Sequence, residues 1–94
     1  MFSLVIPLFN ESRNIKFLLK EIKSNLINYK NYEIILVNDA STDNTSYVIN
    51  NLSISNIKII TNNENKGQSF SIYEGIKKSS FTTIVTLDGD GQTI

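Results

Sequence analysis

The feature that most constrains the fold is an alternation of short apolar runs with segments of helical periodicity along the whole chain. The four apolar runs, rich in β-forming residues, span residues 2–8, 32–38, 57–60 and 81–87. Runs that are apolar at successive positions are typical of strands covered on both faces of a sheet. The helical segments between them are 12–28, a short helix that directs Val48, Ile49 and Leu52 inward, and 68–78.

This order of elements, β-α-β-α-β-α-β with short connections, predicts an α/β fold with a parallel sheet and right-handed crossovers. In open parallel sheets, ligands bind beyond the carboxyl ends of the strands. Three of the four segments that follow the strands carry carboxylates there, at Glu11, at Asp39, and at Asp88 with Asp90. Polar chemistry is therefore concentrated where the topology predicts a ligand site.

Composition excludes several classes of function. A chain of 94 residues allows one compact domain, and nine basic against nine acidic residues give no net charge that would favour nucleic acid. The sequence contains neither cysteine nor histidine, so catalytic chemistry would depend on carboxylates. The first residues lack the basic region of a signal peptide, and no apolar run approaches the ~18 residues of a membrane helix. These features indicate a cytoplasmic chain.

The segment DGDGQ, which follows the last apolar run, allows three interpretations. As a calcium EF-hand loop it would need a carboxylate at Thr86 and a preceding helix, and the sequence offers neither. Two carboxylates one residue apart at a strand end can instead bind a hard divalent cation that keeps its other positions for phosphate oxygens and water. A turn without chemistry is the third interpretation, because glycine and aspartate favour turns for conformational reasons.

The polar residues after the first two apolar runs allow structural and ligand-binding roles. Asn10 or Ser12 is expected to cap the first helix, and Asp43 is expected to lie at the N-terminus of the second. Asp39 differs because it directly follows a strongly apolar strand. At that position a carboxylate can accept hydrogen bonds from a nucleobase or a ribose.

The sequence lacks the glycine motifs of two common nucleotide-binding folds. The first strand is followed by PLFNES rather than GxGxxG, and GxxxxGK[ST] is absent, which argues against an NAD-binding Rossmann domain and a P-loop. Gly67 stands where the chain must turn into the third helix. The positive end of that helix and Lys66 could bind a phosphate, although a glycine-assisted loop explains the same residues.

Taken together, VIPLFNE, VNDASTDNT, NKGQS and TLDGDGQ, in this order and spacing, resemble the N-terminal half of a family 2 glycosyltransferase with the GT-A fold. NKGQS and LDGDGQ are most similar to the branch that contains dolichol-phosphate and polyprenyl-phosphate hexose transferases. The resemblance covers nearly the whole chain. It implies a Rossmann-like half domain with a mostly parallel sheet, and a single, truncated nucleotide-sugar-binding unit over residues 1–94.

The resemblance also implies site residues and a cofactor. Asp39 would read the base, Phe9 stands where the family commonly has tyrosine, and Ala40 replaces a usual glycine. The metal would be Mg²⁺ or Mn²⁺, held by the DxD carboxylates and one amide. The full nucleotide pocket implied is Pro7, Phe9, Glu11, Val37, Asp39 and Asp88, and the metal ligands implied are Asp88, Asp90 and Gln92.

The reaction implied is inverting transfer of a sugar from a UDP- or GDP-type donor to an acceptor such as a polyprenyl phosphate. That acceptor would bring the full-length protein to the cytoplasmic face of a membrane. No catalytic base is assigned, since the acceptor half would lie beyond the DxD motif, and the fragment alone is expected to be inactive. Uncovered sheet edges predict self-association. The rival hypotheses are a noncatalytic nucleotide-binding module and a structural α/β domain without a ligand.

Overall fold

The computed structural model describes residues 1–87 and contains a four-stranded sheet in the order β3-β2-β1-β4. Every strand pairing in this sheet is parallel, which confirms the predicted α/β fold. The elements in chain order are β1 (Phe2–Leu8), α1 (Ile15–Asn25), β2 (Tyr32–Asn38), α2 (Thr45–Asn50), β3 (Ile57–Thr61), α3 (Gln68–Lys77) and β4 (Ile84–Thr86).

The two central strands form the core because both of their faces are covered. Alternate side chains of a strand point to opposite faces, so β1 and β2 contribute to two clusters. On one face they pack against α1, and on the other against α3, whose Gly75 lies directly over Val5 and Val37. The first cluster includes Leu4, Ile6, Leu8, Ile15, Leu18, Leu19, Ile22, Ile34 and Leu36, and the second consists of Val5, Ile35 and Val37.

Helix α1 is shorter than the sequence predicted. It begins at Ile15, and its N-cap residue Asn14 makes no side-chain capping bond. The prediction that Asn10 or Ser12 caps this helix is wrong, because both side chains bond to the loop that follows β2. Helix α1 ends at Asn25, where the chain turns toward β2.

Strand β4 is also shorter than the predicted residues 81–87. It pairs with β1 only over three residues, Ile84 to Thr86, opposite Ser3 to Val5. In the segment before it, the backbone N–H of Ser80 donates to Glu33 on β2. Helix α2 ends at Asn50, but Leu52 still packs against the first core cluster as predicted.

The strand register brings the carboxyl ends together at one edge. Leu8 pairs with Asn38, and Asn38 pairs with Thr61, so three neighbouring strands end in the same row. The loops that follow these strands therefore lie side by side. Among residues 1–87, no helix has the length and apolar character needed to cross a membrane.

Candidate functional site

Three neighbouring loops form the candidate site, here called the strand-end rim: β1–α1 (9–14), β2–α2 (39–44) and β3–α3 (62–67). The sheet hydrogen bonding continues one residue into them. The N–H of Asp39 donates to the carbonyl of Leu8 at 2.8 Å, and the N–H of Asn62 donates to that of Asn38 at 2.9 Å. The first residues of the second and third loops are thus held by the hydrogen bonding of the sheet.

Asp39 joins the second loop to the third. Its side chain is only 4% exposed. Oδ1 accepts hydrogen bonds from Asn62 Nδ2 and from the backbone N–H of Lys66, both at 2.8 Å, and Oδ2 accepts one from the N–H of Gly67, also at 2.8 Å. Gly67 has a positive φ of 93° and is the N-cap of α3. The Asp39 carboxylate therefore lies at the N-terminus of α3, where the sequence analysis allowed a bound phosphate.

The charge of Asp39 is stabilised where it lies. Burial by itself would raise the pKa of this carboxyl group, but hydrogen bonds from Asn62, Lys66, Gly67 and the buried Ser71 outweigh that effect and lower the pKa. The positive end of the α3 dipole favours the same ionised form. The rim thus contains a fixed negative charge that holds its third loop.

Asn10 joins the first loop to the second. Its Oδ1 accepts hydrogen bonds from the backbone N–H of Thr42 at 2.8 Å and of Asp43 at 3.3 Å, and its Nδ2 donates to Thr42 Oγ1 at 3.2 Å. Its own backbone N–H donates to Ser41 Oγ at 3.0 Å. Asn10 has a φ of 55°, a left-handed conformation that asparagine tolerates better than most residues.

Two further contacts bind the same pair of loops. The N–H of Glu11 donates to Thr45 Oγ1 at 2.9 Å, and Ser12 Oγ donates to Asp43 Oδ2 at 2.9 Å. Asp43 Oδ1 accepts from the N–H of Thr45, the first residue of α2, which confirms its predicted place at this helix start. Loss of hydration would raise the pKa of Asp43, but the bonds from Thr45 and Ser12 outweigh it and lower the pKa.

Glu11 presents a buried polar atom to this rim. Within residues 1–87, its Oε2 is the one buried side-chain oxygen or nitrogen that has no hydrogen-bond partner. A buried acceptor without a donor costs about 1–3 kcal/mol. A ligand that brings an N–H or O–H to this oxygen would remove that cost, so Glu11 Oε2 is a candidate contact atom.

The remaining predicted site residues differ in accessibility. Pro7 and Val37 are paired across β1 and β2, and Val37 is fully buried in the second core cluster, beneath the rim. Phe9 is 45% exposed at the start of the first loop. The predicted residues Asp88, Asp90 and Gln92 lie outside the described part of the chain.

An open cleft of about 510 Å³ adjoins the third loop. Ile60 and Phe70 form its apolar part, and Lys66 lies at its mouth, with Nζ 5.8 Å from the centre of the Phe70 ring and 2.7 Å from Glu64 Oε1. Among residues 1–87, no three acidic, histidine or cysteine side chains lie close enough together to hold a metal ion.

The family model described as glycosyl transferase family 2 matches residues 3–93 of the chain. The chain belongs to glycosyl transferase family 2. This membership confirms the resemblance drawn from the four sequence blocks. The narrower polyprenyl-phosphate branch stays a prediction.

Curated relatives of this family 2 chain are much longer proteins. Poly-β-1,6-N-acetyl-D-glucosamine synthase from Staphylococcus aureus (strain COL) is 32% identical over 87 residues, which are 92% of this chain and 21% of that protein. Glycosyltransferase AglE from Haloferax volcanii is 31% identical over 90 residues, or 94% and 30% of the two lengths. The chain thus spans between about a fifth and a third of these relatives.

Solved structures confirm the GT-A fold of this family 2 chain. The mannosyltransferase PcManGT from Pyrobaculum calidifontis, in complex with GDP-Man and Mn²⁺, matches with a TM-score of 0.85 and 20% identity over 97% of this chain and 28% of that one. TarS 1–349 from S. aureus, in complex with UDP-GlcNAc, matches with a TM-score of 0.79 and 23% identity over 95% and 26% of the two chains.

Sequence reasoning missed two residues of this family 2 rim. Asn10 was expected to be a cap of α1 rather than a link between two loops, and Asn62, whose side chain donates to both Asp39 and Ser71, was not singled out. Asn62 could have been identified as a polar residue directly after a strand, since it follows β3 as Asp39 follows β2. That signal indicates a place at the rim but does not identify the partner.

Proposed function

We propose that this chain is the donor-binding part of a glycosyltransferase, which binds a nucleotide-diphosphate sugar of the UDP or GDP type together with a divalent metal. One observation carries the proposal: the buried, unpartnered Oε2 of Glu11 lies on a strand-end rim in a family 2 chain. The TarS and PcManGT structures, which contain UDP-GlcNAc and GDP-Man, support a donor of this chemical class.

The nucleoside part of the donor meets the first two loops in this proposal. Phe9 offers a half-exposed ring on which a base can stack. Glu11 Oε2 accepts a hydrogen bond from a ribose hydroxyl or a base N–H, which satisfies the oxygen that the protein leaves unpartnered. Pro7 and Val37 support this surface from the sheet.

We assign selection of the base to Asp39 together with the loop that it holds. The carboxylate fixes the backbone of Lys66 and Gly67, so loss of its charge would release both groups from their places beside the base. Asp39 thus has the role of base recognition that the family resemblance implies, and it acts by holding the third loop in position.

The diphosphate part of the donor is assigned to the segment after β4. Asp88, Asp90 and Gln92 supply only oxygen ligands, which is the donor set that Mg²⁺ or Mn²⁺ prefers. Strand β4 runs parallel to β1, so its carboxyl end points toward the same edge of the sheet as the rim, which supports this assignment. A bound divalent metal would neutralise charge on the diphosphate leaving group during transfer.

The acceptor proposed is a polyprenyl phosphate, with inversion at the anomeric carbon and a full-length protein located at the cytoplasmic face of a membrane. The likeness of NKGQS and LDGDGQ to that branch supports this choice. Full-length product incubated with labelled donor and polyprenyl phosphate should form a lipid-linked sugar of inverted configuration. Transfer only to a free saccharide would overturn the choice of acceptor.

The donor proposal is tested by calorimetric titration of UDP and GDP into the folded chain, with and without Mn²⁺. Binding should require the metal and should prefer one base. Asp90→Ala should abolish the metal-dependent part, and Asp39→Ala and Glu11→Ala should each weaken binding about tenfold, the size expected when a hydrogen bond to a charged group is lost. Glu21→Ala, an exposed change on α1, is the matched control and should bind like the wild type.

Three results would contradict this proposal. If Asp90→Ala leaves nucleotide binding by the folded chain unchanged, the assignment of the metal ligands is wrong. Absence of binding in both this chain and its full-length product would favour the structural domain without a ligand. Nucleotide binding by a full-length product that transfers no sugar would favour the noncatalytic module.

A further inference from the structure

We infer that Asn10 is a positioning residue for the donor site: it ties the first loop of the rim to the second and thereby holds Phe9 and Glu11 in place. The inference rests on the proposed donor-binding function, because Phe9 and Glu11 are the contacts assigned to the nucleoside. Asn10 itself is assigned no contact with the ligand.

The side chain of Asn10 makes bonds that local structure does not explain. Its Oδ1 accepts from two successive backbone N–H groups, those of Thr42 and Asp43, 32 and 33 residues away in the sequence. Backbone N–H groups can only donate, so the atom that faces them must be the amide oxygen and not the nitrogen. The nitrogen then faces Thr42 Oγ1, which accepts. The orientation of the amide is therefore determined by its partners.

The backbone of Asn10 shows that the position is specialised. Its φ of 55° lies in the left-handed region, where non-glycine residues are uncommon. This conformation turns the chain sharply between Phe9 and Glu11, whose own N–H is held by Thr45 Oγ1. Loss of the Asn10 side chain would remove its bonds to Thr42 and Asp43 and leave this turn attached to the second loop through fewer contacts. Phe9 and Glu11 Oε2 would then sample several positions, and the binding free energy would decrease by the cost of ordering them.

Three variants separate the backbone from the side chain. Asn10→Gly keeps the left-handed turn accessible but removes every side-chain bond to the second loop. Asn10→Asp retains an acceptor toward the N–H groups of Thr42 and Asp43. Asn28→Gly, the same change at an exposed residue between α1 and β2 and outside the rim, is the matched control.

Two measurements test the inference. The first is titration of UDP and GDP into the chain in the presence of Mn²⁺. The second is amide hydrogen exchange of Thr42 and Asp43 without nucleotide. Asn10→Gly should raise the Kd about tenfold and should accelerate exchange of both amides. Asn10→Asp should remain within about threefold of the wild-type Kd, since its carboxylate still accepts hydrogen bonds from the N–H groups of Thr42 and Asp43. Asn28→Gly should change neither quantity.

The outcomes distinguish this inference from the proposed function. Wild-type binding with an unchanged Kd in Asn10→Gly would overturn the positioning role and leave the donor site intact. A wild-type chain that binds neither nucleotide would overturn the proposed function and with it the role of Asn10 toward a donor. If Asn10→Gly fails to fold, Thr42→Val is the alternative variant, because it removes the hydroxyl that accepts from Asn10 Nδ2. It should raise the Kd for the nucleotide about threefold. An unchanged Kd in Thr42→Val would overturn the inference.

Discussion

Gly75 shows how closely one residue can determine the distance between a helix and a sheet. A Cβ atom at this position would lie 2.4 Å from Val5 Cγ1 and 3.2 Å from Val37 Cγ2. Both valines are fully buried, and their branched side chains are stiff at χ1. The glycine is therefore required by the close approach of α3 to β1 and β2, and its φ is unremarkable.

Gly75→Ala should lower the free energy of unfolding by about 2 kcal/mol, because overpacking in a dense core costs more than the gain in helix propensity returns. Urea unfolding measures the change. Val5→Ala removes the nearest atom, so the cost of Gly75→Ala should be smaller in that background, as a double-mutant cycle would show. Equal costs in the two backgrounds would mean that steric contact with Val5 is not the cause.

At the scale of elements, Glu33 ties together three strands and the segment before β4, at the edge opposite the rim. From β2 it accepts hydrogen bonds from Ser3 Oγ on β1 at 2.6 Å and from the N–H of Ser80 just before β4, and it pairs with Lys58 Nζ on β3 at 2.9 Å. Burial alone would raise the pKa of Glu33, but these contacts outweigh it and lower the pKa from 4.5 to about 2.

The lowered pKa of Glu33 predicts a pH-dependent stability. Since the folded state holds the ionised form more tightly than the unfolded state does, this stabilisation is fully present above pH 4.5 and is lost as the pH falls toward about 2. Glu33→Gln should lower the free energy of unfolding by roughly 2–3 kcal/mol at neutral pH, and the deficit should shrink over that acid range. Urea unfolding across the pH range measures it, with exposed Glu21→Gln as control. A deficit independent of pH would contradict the ionic origin.

Element boundaries differed from the sequence prediction where side chains bond outside their own element. Asn10 and Ser12 have the residue types of helix caps, yet they bond to the second loop, so α1 begins only at Ile15. Phe81 is β-forming, but the Ser80 N–H is drawn to Glu33 and pairing with β1 begins only at Ile84. In both cases a tertiary hydrogen bond outweighed local propensity.

At the scale of the molecule, the sheet order within residues 1–87 leaves β3 and β4 at its edges. Beside β4, an apolar groove of about 270 Å³ lies between the strand and α1, with Phe2, Leu26 and Val85 among its residues. Val85 is 42% exposed. Open strand edges and apolar surface favour association between chains.

We expect this chain to self-associate as its concentration rises, because a second copy would cover the groove beside β4. Val85→Lys places a charge there and should weaken the association at least about tenfold. Sedimentation velocity over a range of concentrations measures it. Phe17→Lys, the same kind of change at a 65% exposed residue on α1, is the control. Equal association of all three chains would contradict a role for the groove.

The sequence by itself determined the order of the elements, the parallel α/β fold and the family. Apolar period and turn residues are local properties, and four motifs at successive strand ends identify a fold that places them at one edge. The sequence also placed Phe9, Glu11 and Asp39 at that edge, because each follows a strand closely.

Only the tertiary structure decided which polar side chains meet. Asn10 bonds to Thr42 across 32 residues, Asp39 to Lys66 across 27, and Glu33 to Ser80 across 47. These partners depend on which strand ends are neighbours and in which register, and the sheet order 3-2-1-4 is not contained in any local pattern. A hydrogen bond requires its two atoms within about 3 Å, and that proximity exists only once the sheet has assembled.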